Sequence, residues 1–188
     1  LIDKFELLRI PESYNRKLET KAVPGFYLST VYPNLKVIDK ENGGKADALN
    51  AGLNAAMYPI FCSMDSDSIL ERNSLRRVVR PFLNDQRTIA AGGTIRIING
   101  SEVKEGHLLK AGLPRKLLVR FQIIEYLRAF LFGRIGWTPI NCLMVLSGAF
   151  SLFRKDKVIE AGGYKTGTVG EDMELVVRLH RLLRRKGE

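Results

Sequence analysis

The chain has 188 residues, enough for a domain with a real core. Its composition, 45% hydrophobic and 27% charged, excludes a disordered or fibrous chain. The formal net charge of +10 favours anionic partners, whether nucleic acid, anionic membrane or phosphorylated ligands, without choosing among them.

No run of about 18 apolar residues is present that could cross a bilayer. The chain opens on Leu1, and its last helical pattern stops abruptly at Glu188, so a fragment or excised domain is expected. Cys62 and Cys142 each sit in an apolar run and make neither a metal knuckle nor a disulfide framework.

In chain order, residues 1–34 read as an irregular N-terminal segment, interrupted by Pro11, Pro24, Gly25 and Pro33. Residues 35–38 suit a short strand, followed by a polar turn through Asn42-Gly43-Gly44. Ala46, Leu49, Leu53 and Ala56 keep helical spacing and predict a helix over 45–57. Residues 59–64 form a compact apolar run, expected to be a buried strand, which ends in Asp65-Ser66-Asp67.

A helix is predicted over 73–83, a strand over 88–98, and a strong amphipathic helix over 116–132. Residues 143–153 read as a strand interrupted by Ser147-Gly148-Ala149, and a final helix starts near Gly170-Glu171-Asp172. Strands alternating with helices predict an α/β layer structure with a mostly parallel central sheet flanked by helices.

Three clusters carry chemistry. Asp65 and Asp67, one residue apart at a strand tip, place two hard oxygen donors near one point, which suits Mg²⁺ or Mn²⁺. An acidic turn is the plainer explanation of such a pair taken alone. Gly43-Gly44-Lys45 opens a helix whose free N–H groups and lysine suit a diphosphate, although taken alone a tight turn with a solvated lysine is the plainer explanation. Gly170-Glu171-Asp172 puts carboxylates at a helix start, where they complement the dipole or, in the case of Asp172, act as a general base. Together these are the parts needed to displace a nucleoside diphosphate.

The ordered motifs Gly44-Lys45-Ala46-Asp47-Ala48-Leu49-Asn50, Met64-Asp65-Ser66-Asp67-Ser68, Ser147-Gly148-Ala149-Phe150 and Gly170-Glu171-Asp172 resemble those of the family 2 glycosyltransferases. The likeness is to the bacterial, membrane-associated branch that includes cellulose, chitin, hyaluronan and poly-N-acetylglucosamine synthases. It covers residues 35–188, which would then be a partial glycosyltransferase catalytic domain.

The resemblance implies a GT-A-type nucleotide-diphospho-sugar transferase fold. It also implies inverting transfer from a nucleotide-sugar donor, with uridine diphosphate the expected nucleotide, to a glycan or lipid-linked acceptor. Asp65 would lie by the ribose and diphosphate, Asp67 would bind the metal as the second acid of the DxD motif, and Lys45 would line the donor site. Asp172 would be the general base with Glu171 beside it, and Ser147, Gly148, Ala149 and Phe150 would lie near the acceptor. The location implied is the cytoplasmic face of the bacterial inner membrane.

The family's first strand, ending in an acid, has no visible equivalent before Leu35. Its Gln-x-x-Arg-Trp motif is also missing, since Trp137 precedes the last helix. Truncation at both ends is therefore expected, and a piece inactive on its own.

The basic, aromatic stretch 115–137 is read in two ways, as a helix lying on an anionic membrane surface or as a core helix whose charged tips reach water. The rival functions are a basic nucleic-acid-binding module and a non-catalytic glycosyltransferase-like scaffold. No nucleic-acid motif is recognised, and nucleic acid is not an expected partner.

Overall fold

The computed structural model describes residues 1–11, 16–140 and 142–187. It divides into two compact units. The first comprises Leu1–Phe61 with Lys155–Leu182, and the second comprises Cys62–Arg154 with the last residues from Leu183.

The first unit begins with α1 (Ile2–Phe5), β1 (Leu7–Arg9) and β2 (Gly25–Ser29), where the sequence led us to expect irregular chain. With β3 (Lys36–Asp39) they make an antiparallel sheet in the order β1-β2-β3. The central strand, Gly-Phe-Tyr-Leu-Ser, is buried or half-buried along its whole length, so it lacks the period-two alternation that betrays a one-sided strand.

Next comes α2 (Gly44–Ala55), in which four alanines and two leucines offset the weak helix propensity of its glycines and asparagines. Asn42 Oδ1 accepts the Gly44 N–H at 3.0 Å just before it. The unit is completed by α7 (Lys155–Glu160) and by α8 (Glu171–Lys186) as far as Leu182. Val158 and Leu175 are fully enclosed, and Leu18, Phe26, Ala51, Leu53, Tyr164, Val176 and Leu179 are buried with them.

One face of α2 is polar and buried. Asp47, Asn50 and Asn54 are 3%, 4% and 6% exposed. Each is spent on chain that lies outside any strand ladder. Asn54 Oδ1 accepts the N–H groups of Lys17 and Leu18, each at 3.0 Å, and its Nδ2 donates to Leu18 O at 2.9 Å. Asp47 Oδ1 accepts the Lys21 N–H at 3.0 Å, and its carboxylate is ion-paired with Lys40. Asn50 grips the backbone of Tyr164. Buried backbone groups must find partners, and here a helix side chain stands in for the missing strand.

In the second unit β8 (Phe150–Arg154) lies between β4 (Ile60–Met64) and β5 (Ala90–Gly92). The expected helix over 73–83 is broken into α3 (Ser74–Val78) and α4 (Arg80–Asn84), because Pro81 has no N–H to continue the ladder and sits instead in the first turn of α4. The expected strand over 88–98 shortens to β5, after which Gly93 comes so close to β8 that a Cβ there would overlap the Phe150 ring.

β6 (Glu102–Lys104) and β7 (His107–Lys110) form an exposed hairpin around two left-handed residues, Glu105 and Gly106. α5 (Leu117–Leu127), a π turn (Arg128–Phe132) and α6 (Gly133–Trp137) then follow in one helical run.

The α/β class is as expected. The four ladders with a described register, β1–β2, β2–β3, β5–β8 and β6–β7, are all antiparallel. The connections from β2 to β3 and from β6 to β7 are too short for a parallel crossover.

Burial works to raise the Asp47 pKa, but the hydrogen bonds from Lys40 and the Lys21 N–H, with the charges of both lysines, hold it below 3.8. A folded pKa below the unfolded one contributes stability that is present above the unfolded value and lost as pH falls through the folded value. Asp47→Asn is expected to cost about 1–3 kcal/mol at pH 7. Urea denaturation should show the gap from wild type narrowing below about pH 4.

Candidate active site

The first unit brings together two of the clusters singled out above. Lys45 stands on the first turn of α2, and its Nζ lies 3.7 Å from Glu171 Oε1 and 4.0 Å from Asp172 Oδ2 at the head of α8. The two carboxylate side chains are about a fifth exposed, at 19% and 20%. They are close enough to the protein to be oriented and open enough to meet a ligand. Acidic groups suit this place because the helix N-terminus carries partial positive charge.

Glu174, the third acid of the first turn, is committed elsewhere. Arg178 donates to it at 2.9 and 2.6 Å, and Lys165 lies 3.4 Å away. The Arg178 hydrogen bonds, opposed by partial burial and aided by the charges of Arg178 and Lys165, hold the Glu174 carboxyl below the usual range. Its fixed ionisation suits a strut rather than a proton acceptor. Beside the head of α8 an open hollow of about 290 Å³ is lined by Val169, Gly170, Met173 and Val177, with Lys165 and Arg181 among its polar neighbours.

The second unit holds the remaining predicted residues. β4 ends in a turn in which Ser68 N–H donates to Asp65 O at 3.1 Å. Asp65 is half-buried and Asp67 exposed. The Asp65 N–H points to Ala149 O at 3.4 Å, so the Asp-Ser-Asp turn and the Ser147–Phe150 segment are neighbours. That segment is itself a tight turn. Ser147 Oγ accepts the Ala149 N–H at 3.2 Å, and Ser147 O accepts the Phe150 N–H at 3.3 Å and the Ser151 hydroxyl at 2.5 Å. The turn leaves Gly148 and Phe150 buried and Ser147 and Ala149 half-buried.

Among the described residues no group of three or more His, Cys, Asp or Glu is gathered as for a resident metal. Two carboxylates with one exposed fit a different role. Mg²⁺ or Mn²⁺ is commonly held by one or two carboxylates and completed by phosphate oxygens and water. The donor set of Asp65 and Asp67 therefore fits a cation shared with a phosphorylated ligand.

Sequence reasoning singled out Lys45, Glu171 and Asp172, which the structure brings together. It gave no role to Asn50, Glu174 or Arg178, although Glu174 and Arg178 carry a visible signal in their i, i+4 spacing.

Comparison with known proteins adds an independent line. The family model described as glycosyl transferase family 2 matches residues 21–161. That span contains Lys45, Asp65, Asp67 and Ser147–Phe150 and stops before Glu171. The chain is 32% identical over 143 residues to the poly-beta-1,6-N-acetyl-D-glucosamine synthase of Staphylococcus aureus (strain COL), a match covering 75% of this chain and 31% of that protein. It is 28% identical over 150 residues to the protein of the same name from Staphylococcus epidermidis, covering 78% of this chain and 32% of the relative. The matched part thus amounts to about a third of the length of these relatives.

Proposed function

The chain belongs to glycosyl transferase family 2, and from that premise we propose that it carries catalytic residues of an inverting, divalent-metal-dependent transferase. Family membership brings the GT-A nucleotide-diphospho-sugar transferase fold, and the mixed α/β elements accord with it. The donor we propose is a uridine-diphosphate sugar and the acceptor a glycan or lipid-linked glycan. The names of the staphylococcal relatives favour N-acetylglucosamine as the sugar moved.

One observation carries the reading. Two motifs far apart in the chain meet where the Lys45 ammonium comes within ion-pair reach of Glu171 and Asp172. One supplies a cation suited to a diphosphate, the other a base suited to a hydroxyl.

In this scheme Asp65 and Asp67 hold Mg²⁺ or Mn²⁺, whose chemistry here is to neutralise the departing diphosphate. Lys45 supplies a point charge suited to a diphosphate. Asp172 accepts the acceptor's hydroxyl proton as that oxygen bonds to the anomeric carbon. The bond from that carbon to the diphosphate breaks on the opposite face, so an α-linked donor gives a β-linked product. Glu171 lies beside the base, and Ser147, Gly148, Ala149 and Phe150 border the acceptor.

Asp172→Asn in the whole protein is expected to leave donor binding intact and to lower transfer by about 10²-fold or more. Product release assayed with a radiolabelled donor measures this, and normal turnover in that variant would overturn the assignment of the base.

The run from α5 to α6 adds a partner to the proposal. α5 buries none of its residues. Leu118 is 80% exposed, Phe132 68% and Phe121 56%, with Leu117, Ile124, Ile135 and Trp137 also open. Arg115, Lys116 and Arg120 stand at the start of the same run. Apolar side chains bordered by cations suit the headgroup region of an anionic bilayer, and we place this run against the cytoplasmic face of the bacterial inner membrane. Among the described residues no helix is long and apolar enough to cross a membrane.

Replacing Phe121 and Phe132 together by Asp should abolish co-sedimentation with phosphatidylglycerol vesicles. Unchanged co-sedimentation would refute the surface contact.

A further inference from the structure

The turn at residues 161–164, between α7 and the loop that leads into α8, is held from both sides by side chains to which no role has been given. From α2, Asn50 Nδ2 donates to Tyr164 O at 2.8 Å, and Asn50 Oδ1 accepts the Tyr164 N–H at 2.8 Å. From α8, Arg178 Nη2 donates to Gly163 O at 2.8 Å and Nη1 donates to Ala161 O. The same guanidinium is braced along its own helix by Glu174.

The turn is shaped for this grip. Gly163 N–H returns to Val158 O and Gly162 N–H to Ile159 O, each at 2.9 Å, the paired bonds that close a helix in a Schellman motif. Gly163 has φ +70°, and a Cβ there would lie 2.6 Å from Asn50 Oδ1 and 2.7 Å from Leu18 Cδ1. Only glycine lets the backbone approach the amide so closely.

These bonds run in series from α2 through Asn50, Tyr164, Gly163 and Arg178 to α8. At the far end of α2 stands Lys45, and at the head of α8 stand Glu171 and Asp172. We propose that Asn50 and Arg178 are positioning residues, which set the register of α8 against α2 and so hold Asp172 at its working distance from Lys45. The Asn50 amide is suited to this because it satisfies the donor and the acceptor of one peptide residue at once. The Arg178 fork is suited because it spans two carbonyls in a fixed plane. The inference rests on Asp172 being the base, as proposed above.

The test compares four variants in the whole protein: Asn50→Ala, Arg178→Lys, Asn54→Ala and Asp172→Asn. Turnover is expressed per folded molecule, with the folded fraction taken from circular dichroism. Asn54 is the matched control, since its amide is equally buried and satisfied but grips Lys17 and Leu18 instead of the 161–164 turn. Arg178→Lys keeps the charge, loses the fork, and serves if Asn50→Ala does not fold.

A displaced base should lower kcat by about 10- to 100-fold in Asn50→Ala and Arg178→Lys, with donor KM unchanged. Asn54→Ala should stay within about twofold of wild type by the same reasoning. Equal per-molecule turnover in all three, or an equal fall in Asn54→Ala, would overturn the positioning role while leaving Asp172 as base. An active Asp172→Asn would overturn the base and the positioning role together.

Discussion

The first unit depends on a helix that uses its polar residues as backbone partners. Asp47, Asn50 and Asn54 follow one another along one face of α2, and all three are buried. Burying a carboxylate and two amides in a helix face is costly unless each is satisfied. The partners are peptide groups of residues 17–21 and of Tyr164, joined by Lys40. Segments too irregular to form strands are thereby fastened to a rigid element. Because the peptide groups it served would be left unpaired, losing one such clamp does more than remove a single hydrogen bond.

That constraint explains why the head of α8 has a defined place. The loop into α8 is short of regular structure, yet its start is gripped by α2 and by Arg178. Glu174 is consumed in bracing Arg178, which leaves Glu171 and Asp172 as the acids facing Lys45. The second unit follows a similar logic on a smaller scale. Hydroxyl and backbone bonds within residues 147–151 fold a tight turn next to Asp65, while Asp67 stays exposed. In both units the frame is buried, and the charged groups with chemistry to perform are half-buried or open.

Much of this was legible in the sequence where a local rule governs. α2 follows from alanine-rich helical spacing after two glycines, and β4 from a short apolar run ending in acids. α8 follows from acids at its start and cations at its end. β1 was not legible because three residues are too few to show a period, and β2 because a strand covered along its whole length shows no alternation. Hairpin β6–β7 was missed because its strands are wholly exposed and carry no apolar pattern, although the Glu105-Gly106 pair suits a two-residue turn. β8 begins where the expected interruption at Ser147-Gly148-Ala149 ends, whereas the apolar residues 143–146 before it form no strand. Asn50 was hidden for a deeper reason. A helix-interior asparagine signals nothing by itself, and its partner lies 114 residues away, set by tertiary packing alone.

The proposed function requires that a nucleoside diphosphate bind through a divalent cation held at the tip of β4. Calorimetric titration of the whole protein with uridine diphosphate, with and without Mn²⁺, tests it most directly. Binding is expected to require the metal and to be weakened by about tenfold or more in Asp67→Ala, a loss of about 1.4 kcal/mol. Equal affinity without Mn²⁺, or an Asp67→Ala titration that overlays wild type, would contradict it.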